Sequence, residues 1–187
     1  TPTLNVLTNL IKKNNPDYEY YLFNNSERAE FIKNNFDKEV FEVYERIIPG
    51  AFKADLWRYC ILYIQGGIYA DIDMINLNNF DILIKDDIDI FAPIDLNQNP
   101  EEGNHNIENA FMGIVPKHPI MKYCIDYIID NVINDKWWNG NKLPLEFSGP
   151  GVFGKAINKF LNRPERESLI KLEGTLKNDK ITIKFLE

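Results

Sequence analysis

A chain of 187 residues is long enough for one domain with a sizeable core, and 44% hydrophobic with 26% charged residues excludes a disordered or membrane-embedded chain. A formal net charge of -7 offers no basic field for nucleic acid or an anionic bilayer, so an anionic ligand needs a cation beside it. Two histidines, His105 and His118, with Cys60 and Cys124 make no zinc motif, whereas carboxylates abound for a hard ion such as Mn2+ or Mg2+.

Leu4, Leu7, Leu10 and Ile11 recur at helical spacing, and Asn14-Asn15-Pro16-Asp17 ends that helix. The aromatic run Tyr18 to Phe23 reads as a strand. Ser26 caps a short helix through Phe31 and Ile32, and a second helical stretch with Val40, Phe41, Tyr44 and Ile47 stops at Pro49-Gly50. From Ala51 to Gln65, Ala54, Trp57, Ile61 and Ile64 form one helical stripe, with Gly66-Gly67 as the stop. Ile68 to Met74 then alternates as a strand, with Tyr69, Asp71 and Asp73 on its polar face. Ile88 to Ala92 and Ala110 to Val115 read as further strands, and Pro119 opens a helix bearing Met121, Cys124, Ile125, Ile128 and Val132. After Lys136-Trp137-Trp138-Asn139-Gly140, a loop with Ser148-Gly149-Pro150-Gly151 enters a helix from Val152 to Leu161, and Ile181 to Phe185 forms a last strand. The alternation predicts an α/β class and one domain over residues 1–187. Both cysteines fall in apolar helical patterns and read as free buried thiols. No apolar run approaches the roughly 20 residues needed to span a bilayer, and Thr1 to Ile11 lacks a signal-peptide pattern. A soluble, cytoplasmic protein is expected, or one in a Golgi or secretory lumen if an anchor precedes this chain.

Residues two apart on a strand share a face, so Asp71 and Asp73 can approach one cation, one directly and the other through water. A divalent ion there neutralises the charge that develops on a diphosphate leaving group. A bare Asp-x-Asp triplet is weak evidence, and a second one, Asp87 with Asp89, reads as solvated loop acids entering a strand. The first triplet follows a helix, a Gly-Gly stop and an apolar strand, and open α/β sheets bind ligands at such strand ends. Asp55 and Arg58, three apart on the preceding helix, either grip sugar hydroxyls or form a surface ion pair worth under about 1 kcal/mol. Trp57 and Tyr63 read as core. Gly149 and Gly151 either present N–H groups to an anion at a helix start or simply turn the loop.

Lys53-Ala54-Asp55-Leu56-Trp57-Arg58-Tyr59, followed by Gly66-Gly67-Ile68-Tyr69-Ala70-Asp71-Ile72-Asp73, closely resembles the sugar-binding region of glycosyltransferases containing the Asp-x-Asp motif. That group includes yeast initiating α-1,6-mannosyltransferases, animal α-1,4-galactosyl and N-acetylglucosaminyl transferases, and bacterial and viral relatives. Asn15-Pro16-Asp17-Tyr18-Glu19-Tyr20, Asn109-Ala110-Phe111-Met112, His118-Pro119 and Gly149-Pro150 extend the likeness over most of the chain. The resemblance implies a GT-A nucleotide-diphospho-sugar transferase fold, a mixed central sheet flanked by helices. It implies metal-assisted, retaining transfer of a hexosyl unit from a UDP- or GDP-sugar to a glycan, protein-linked or lipid-linked hydroxyl, with Asp71 and Asp73 as the catalytic pair. By the same likeness Asp55 and Arg58 hold the donor sugar, Asp71 contacts ribose, sugar and metal, and Asp73 binds the metal directly. Tyr69 packs near the donor and Asn109 lies close to the reacting sugar. Relatives begin with a strand like Ile-Pro-Lys-Ile-Ile-His and carry a His- or Trp-containing metal segment near the C-terminus; this chain is expected to lack both. Two rivals compete: a haloacid dehalogenase-type phosphatase, weakened by Ile75 where Thr or Val is usual, and a non-catalytic carbohydrate-binding or degenerate module.

Overall fold

In a computed structural model, residues 2–84, 88–95, 105–136, 144–172, 174–177 and 182–186 are described; Asp87, Trp137 to Gly140 and Ile181 lie outside them. Four helices come first: α1 (Pro2–Asn14), α2 (Asn25–Asn35), α3 (Lys38–Arg46) and α4 (Gly50–Gln65). Strands β1 (Gly67–Ala70), β2 (Ile90–Pro93) and β3 (Phe111–Ile114) follow, then α5 (Pro119–Ile133), α6 (Pro144–Phe147) and α7 (Pro150–Phe160). β4 (Gly174–Lys177) and β5 (Thr182–Leu186) close the described chain, with short 3-10 turns at Phe80–Ile82 and Ile170–Leu172. The five strands form one mixed sheet in the order β1-β3-β2-β5-β4, in which only β2 and β5 run parallel. The expected α/β class with a mixed sheet is borne out.

The expected single apolar stripe on α4 understates its burial. Every residue from Asp55 to Leu62 is buried, because α2, α3, α5 and β1 surround the helix. A helix packed on all sides loses its amphipathic contrast. Met121, Cys124, Ile125, Ile128 and Val132 of α5 are buried as their spacing predicts, and α5 packs against both α4 and α7. Cys60 and Cys124 are free and buried.

Three expected elements are corrected. Tyr18 to Phe23 runs without helix or ladder, since aromatic β-propensity cannot supply a partner strand. The strand read over Ile68 to Met74 stops at Ala70: Asp71 N–H makes one more bond, to the Ala110 carbonyl at 2.8 Å, and Met74 N–H then closes a turn on the Asp71 carbonyl at 3.1 Å. Asn24, not Ser26, caps α2: its Oδ1 accepts from the N–H groups of Ser26 and Glu27 at 2.9 and 3.1 Å, and Glu27 accepts from Asn24 N–H at 2.7 Å, a capping box.

Candidate functional site

The site begins where α4 gives way to β1. Gly66 ends the helix at a φ of 65°, and a Cβ there would stand 2.7 Å from the Pro116 ring and 2.9 Å from the Ile114 carbonyl oxygen. Only glycine fits so tight a reversal. The reversal carries Tyr69 and Asp71 back beside Asp55 and Arg58.

Asp55 is 8% exposed and Arg58 5%, which removes the surface ion-pair reading. Arg58 Nη2 stands 3.3 Å from both Asp55 Oδ1 and Asp71 Oδ1, and its Nη1 donates to the Asn109 carbonyl at 2.5 Å. Asn109 Nδ2 donates to Asp55 Oδ1 at 3.0 Å and to the Tyr59 hydroxyl at 2.9 Å. Ser148 donates to Asp55 Oδ2 at 2.6 Å, and Tyr69 donates to Asp71 Oδ1 at 2.6 Å while its ring lies 4.6 Å beneath the guanidinium. Buried charges persist only when paired and bonded in this way. Burial raises the pKa of Asp55, opposed by Arg58, Ser148 and Asn109. Burial disfavours the Arg58 charge, but Tyr69, Asp55 and Asp71 outweigh it and raise its pKa. Burial and the neighbouring Asp71 push Tyr69 well above the usual phenol range, so its hydroxyl stays a donor at neutral pH.

A cleft of about 940 Å³ opens in front of this network. Arg58, Tyr69, Asp71 and Asp73 line it together with Trp57 and Phe23; Asp55 and Asn109 do not, and stand behind Arg58. Asp71 and Asp73 thus reach one cleft, as positions one and three of a turn and not as one face of a strand. Asp73 is exposed and bonds to none of the described residues, while Asp71 commits Oδ1 to Arg58 and Tyr69. One carboxylate uncommitted and a second half-committed form a hard donor set that fits Mn2+ or Mg2+. Among the described residues no group of three His, Cys, Asp or Glu side chains gathers, so solvent and ligand oxygens must complete such a shell.

Trp57 is 8% exposed and belongs to the core as expected, yet its remaining edge forms cleft wall; Tyr63 is half-buried against the same core. Asp89 is no solvated loop acid: its Oδ2 accepts from Thr182 N–H at 2.6 Å, its N–H bonds the Thr182 carbonyl at 3.0 Å, and its carbonyl accepts from Val115 N–H at 2.8 Å. The carboxylate pins the start of β5 to the sheet. The α7 start is not an open anion site either. A Cβ on Gly151 would stand 2.7 Å from Glu146 Oε1, so the protein's own carboxylate fills the place. Burial works against the Glu146 charge, but His105 and Lys155 overcome it and draw its pKa down to about 2. Sequence reasoning missed Ser148 and Tyr59. The Ser148-Gly149-Pro150 stretch was the available signal, but nothing local places Ser148 against Asp55, 93 positions away.

Residues 3–89 match the family described as glycosyltransferase sugar-binding region containing DXD motif. Over that stretch, just under half of its length, the chain is similar to this glycosyltransferase family. An uncharacterised glycosyltransferase of Acanthamoeba polyphaga mimivirus is 33% identical over 120 residues, which cover 64% of this chain and 44% of the viral protein. The initiation-specific alpha-1,6-mannosyltransferase of Schizosaccharomyces pombe is 24% identical over 168 residues, covering 80% of this chain and 42% of its own length. Mannosyl phosphorylinositol ceramide synthase SUR1 of Saccharomyces cerevisiae is 31% identical over 125 residues, 66% of this chain and 29% of that one. The chain therefore spans less than half of these relatives. In three dimensions it is similar to the PaToxG glycosyltransferase, with a TM-score of 0.61, 19% identity, 87% of this chain covered and 64% of the other, a likeness of fold. No described helix of this chain is long and apolar enough to cross a membrane.

Proposed function

We propose that this chain moves a hexosyl unit from a UDP- or GDP-sugar to a glycan, protein-linked or lipid-linked hydroxyl, with retention at the anomeric carbon and with Mn2+ or Mg2+ assistance. The observation that carries this reading is the opening of the Asp71–Asp73 turn and the buried Arg58 onto one large cleft. When bound, the ion would offset negative charge on the departing diphosphate. Asp73, exposed and uncommitted, would hold it directly, with Asp71 beside it. Arg58, fixed by Asp55, Asp71 and the Asn109 carbonyl, presents its guanidinium to the donor in one orientation and stays charged at any working pH. Tyr69 keeps its proton, orients Asp71 and packs near the donor. Both carboxylate oxygens of Asp55 already accept from the protein, so Asp55 and Asn109 serve the donor by holding Arg58 in place. The mannosyltransferase relatives make a mannosyl donor the first to try.

The test is a panel of UDP- and GDP-sugars with manganese, read by melting temperature and donor hydrolysis. One donor and the metal together should raise the melting temperature by mass action and release nucleotide diphosphate. Cleavage of simple phosphate esters would instead favour a phosphatase, and stabilisation by sugars without any donor turnover would favour a binding module. Anomeric configuration in the product, read by NMR, tests retention.

A further inference from the structure

Asn15 and Tyr18 of the Asn15-Pro16-Asp17-Tyr18 stretch line the same cleft without bonding to Arg58, Asp71 or Asp73, and they make a dense polar contact of their own. Asn15 is 2% exposed just beyond α1. Its Nδ2 donates to the Ile11 carbonyl at 2.9 Å and to Asn76 Oδ1 at 3.0 Å, and its Oδ1 accepts from Phe80 N–H at 2.7 Å. Asn14 Nδ2 donates to the Asn76 carbonyl at 2.9 Å, and the Tyr18 hydroxyl donates to Asp81 Oδ1 at 2.6 Å. Four of these bonds reach the chain that leaves the Asp71–Met74 turn.

That chain has little else to hold it. From Met74 to Asn79 it forms no helix or ladder, and Ile75 and Leu77 are 64% and 76% exposed, so packing does not fix it. Asn76 lies three positions after Asp73 and is the first residue beyond the turn to be tied down by another element. A metal ligand must be held to within a fraction of an ångström, and groups behind it supply that precision.

We propose that Asn15 is a positioning residue for the metal turn, acting through Asn76 to fix where the Asp73 carboxylate stands in the cleft. The proposal rests on the metal-assisted reading given above. Removing the contact should raise the manganese concentration needed for activity, not the donor requirement at saturating metal. Asn15→Ala would strand the buried Phe80 N–H and endanger the fold, so the variants are placed at Asn76, a half-buried partner outside the donor network. Asn76→Ala loses the bond from Asn15; Asn76→Asp keeps an acceptor for it. Both lose the bond from Asn76 Nδ2 to the Asn78 carbonyl, and because the new carboxylate of Asn76→Asp can itself attract manganese, its rescue counts for the Asn15 contact only where it persists at high salt.

The measurement is manganese-dependent hydrolysis of GDP-mannose or UDP-glucose, with melting temperature recorded without metal. In Asn76→Ala the half-saturating manganese concentration should rise roughly threefold to tenfold, as one lost hydrogen bond implies, with donor KM at saturating manganese changed less than twofold. Asn76→Asp should restore the metal requirement. An unchanged requirement in Asn76→Ala overturns the proposal, as does an equal loss in both variants that follows melting temperature. A wild-type protein indifferent to manganese overturns the metal reading itself, and is recognised before any variant is made.

Discussion

Asp73 and Arg58 illustrate two ways a charge can be kept in one cleft. Asp73 stays wet and uncommitted, whereas Arg58 is dry and held by two carboxylates and a carbonyl. Their substitutions should therefore fail differently. Asp73→Asn should abolish metal-dependent donor binding yet change unfolding free energy by no more than about 0.5 kcal/mol, as exposed sites do. Arg58→Met should leave Asp55 buried without its partner and cost about 3–5 kcal/mol in urea unfolding. Arg58→Lys should keep much of that stability but lower donor affinity at least about tenfold, because an ammonium cannot span both carboxylates and the Asn109 carbonyl. Asp71 and Asp73 were legible in the sequence as a pair because they follow a helix, a glycine stop and a strand. Their geometry was not. Alternation assumes the strand continues, and only the Met74 N–H bond to Asp71 shows that it turns. The depth of Asp55 was equally hidden, since spacing along a helix does not reveal which neighbours enclose it.

At the level of elements, caps and close approaches decide stability more than propensity does. His118 caps α5 through Nδ1, which accepts from Ile120 N–H at 3.2 Å, and its ring packs 5.3 Å from Phe160. Burial lowers its pKa to about 4, with Asp89 opposing. A histidine held neutral in the fold stabilises fully above its unfolded value near 6.5, and that contribution is lost as pH falls through about 4. Wild-type protein should lose on the order of 2 kcal/mol over this interval after allowance for solvent screening, and His118→Asn, which keeps a capping oxygen, should flatten that slope. Gly154 works by proximity: a Cβ there would stand 1.5 Å from the His105 carbonyl oxygen, so Gly154→Ala should cost about 1–3 kcal/mol or more through forced backbone movement. Most helices could be read from apolar spacing and Pro or Gly stops. Tyr18 to Phe23 could not, since a strand depends on a partner supplied from elsewhere in the chain.

Across the whole molecule, Asp89 shows how one acid can serve the sheet and the cleft together. It lines the cleft and also fixes β5 beside β2, so Asp89→Ala, which removes the acceptor for Thr182 N–H, should lower the melting temperature by several degrees, contrary to what a loop acid would do. The mixed sheet, with β1 at one edge and α4 packed beside it, delivers Arg58 and the Asp71–Asp73 turn to one opening. The most direct measurement of that arrangement is an EPR titration of Mn2+ with GDP or UDP present, counting bound manganese. The wild type should bind one ion per chain, with Asp73→Asn binding none and Asp71→Asn weakened. Equal manganese binding by all three proteins would contradict the account.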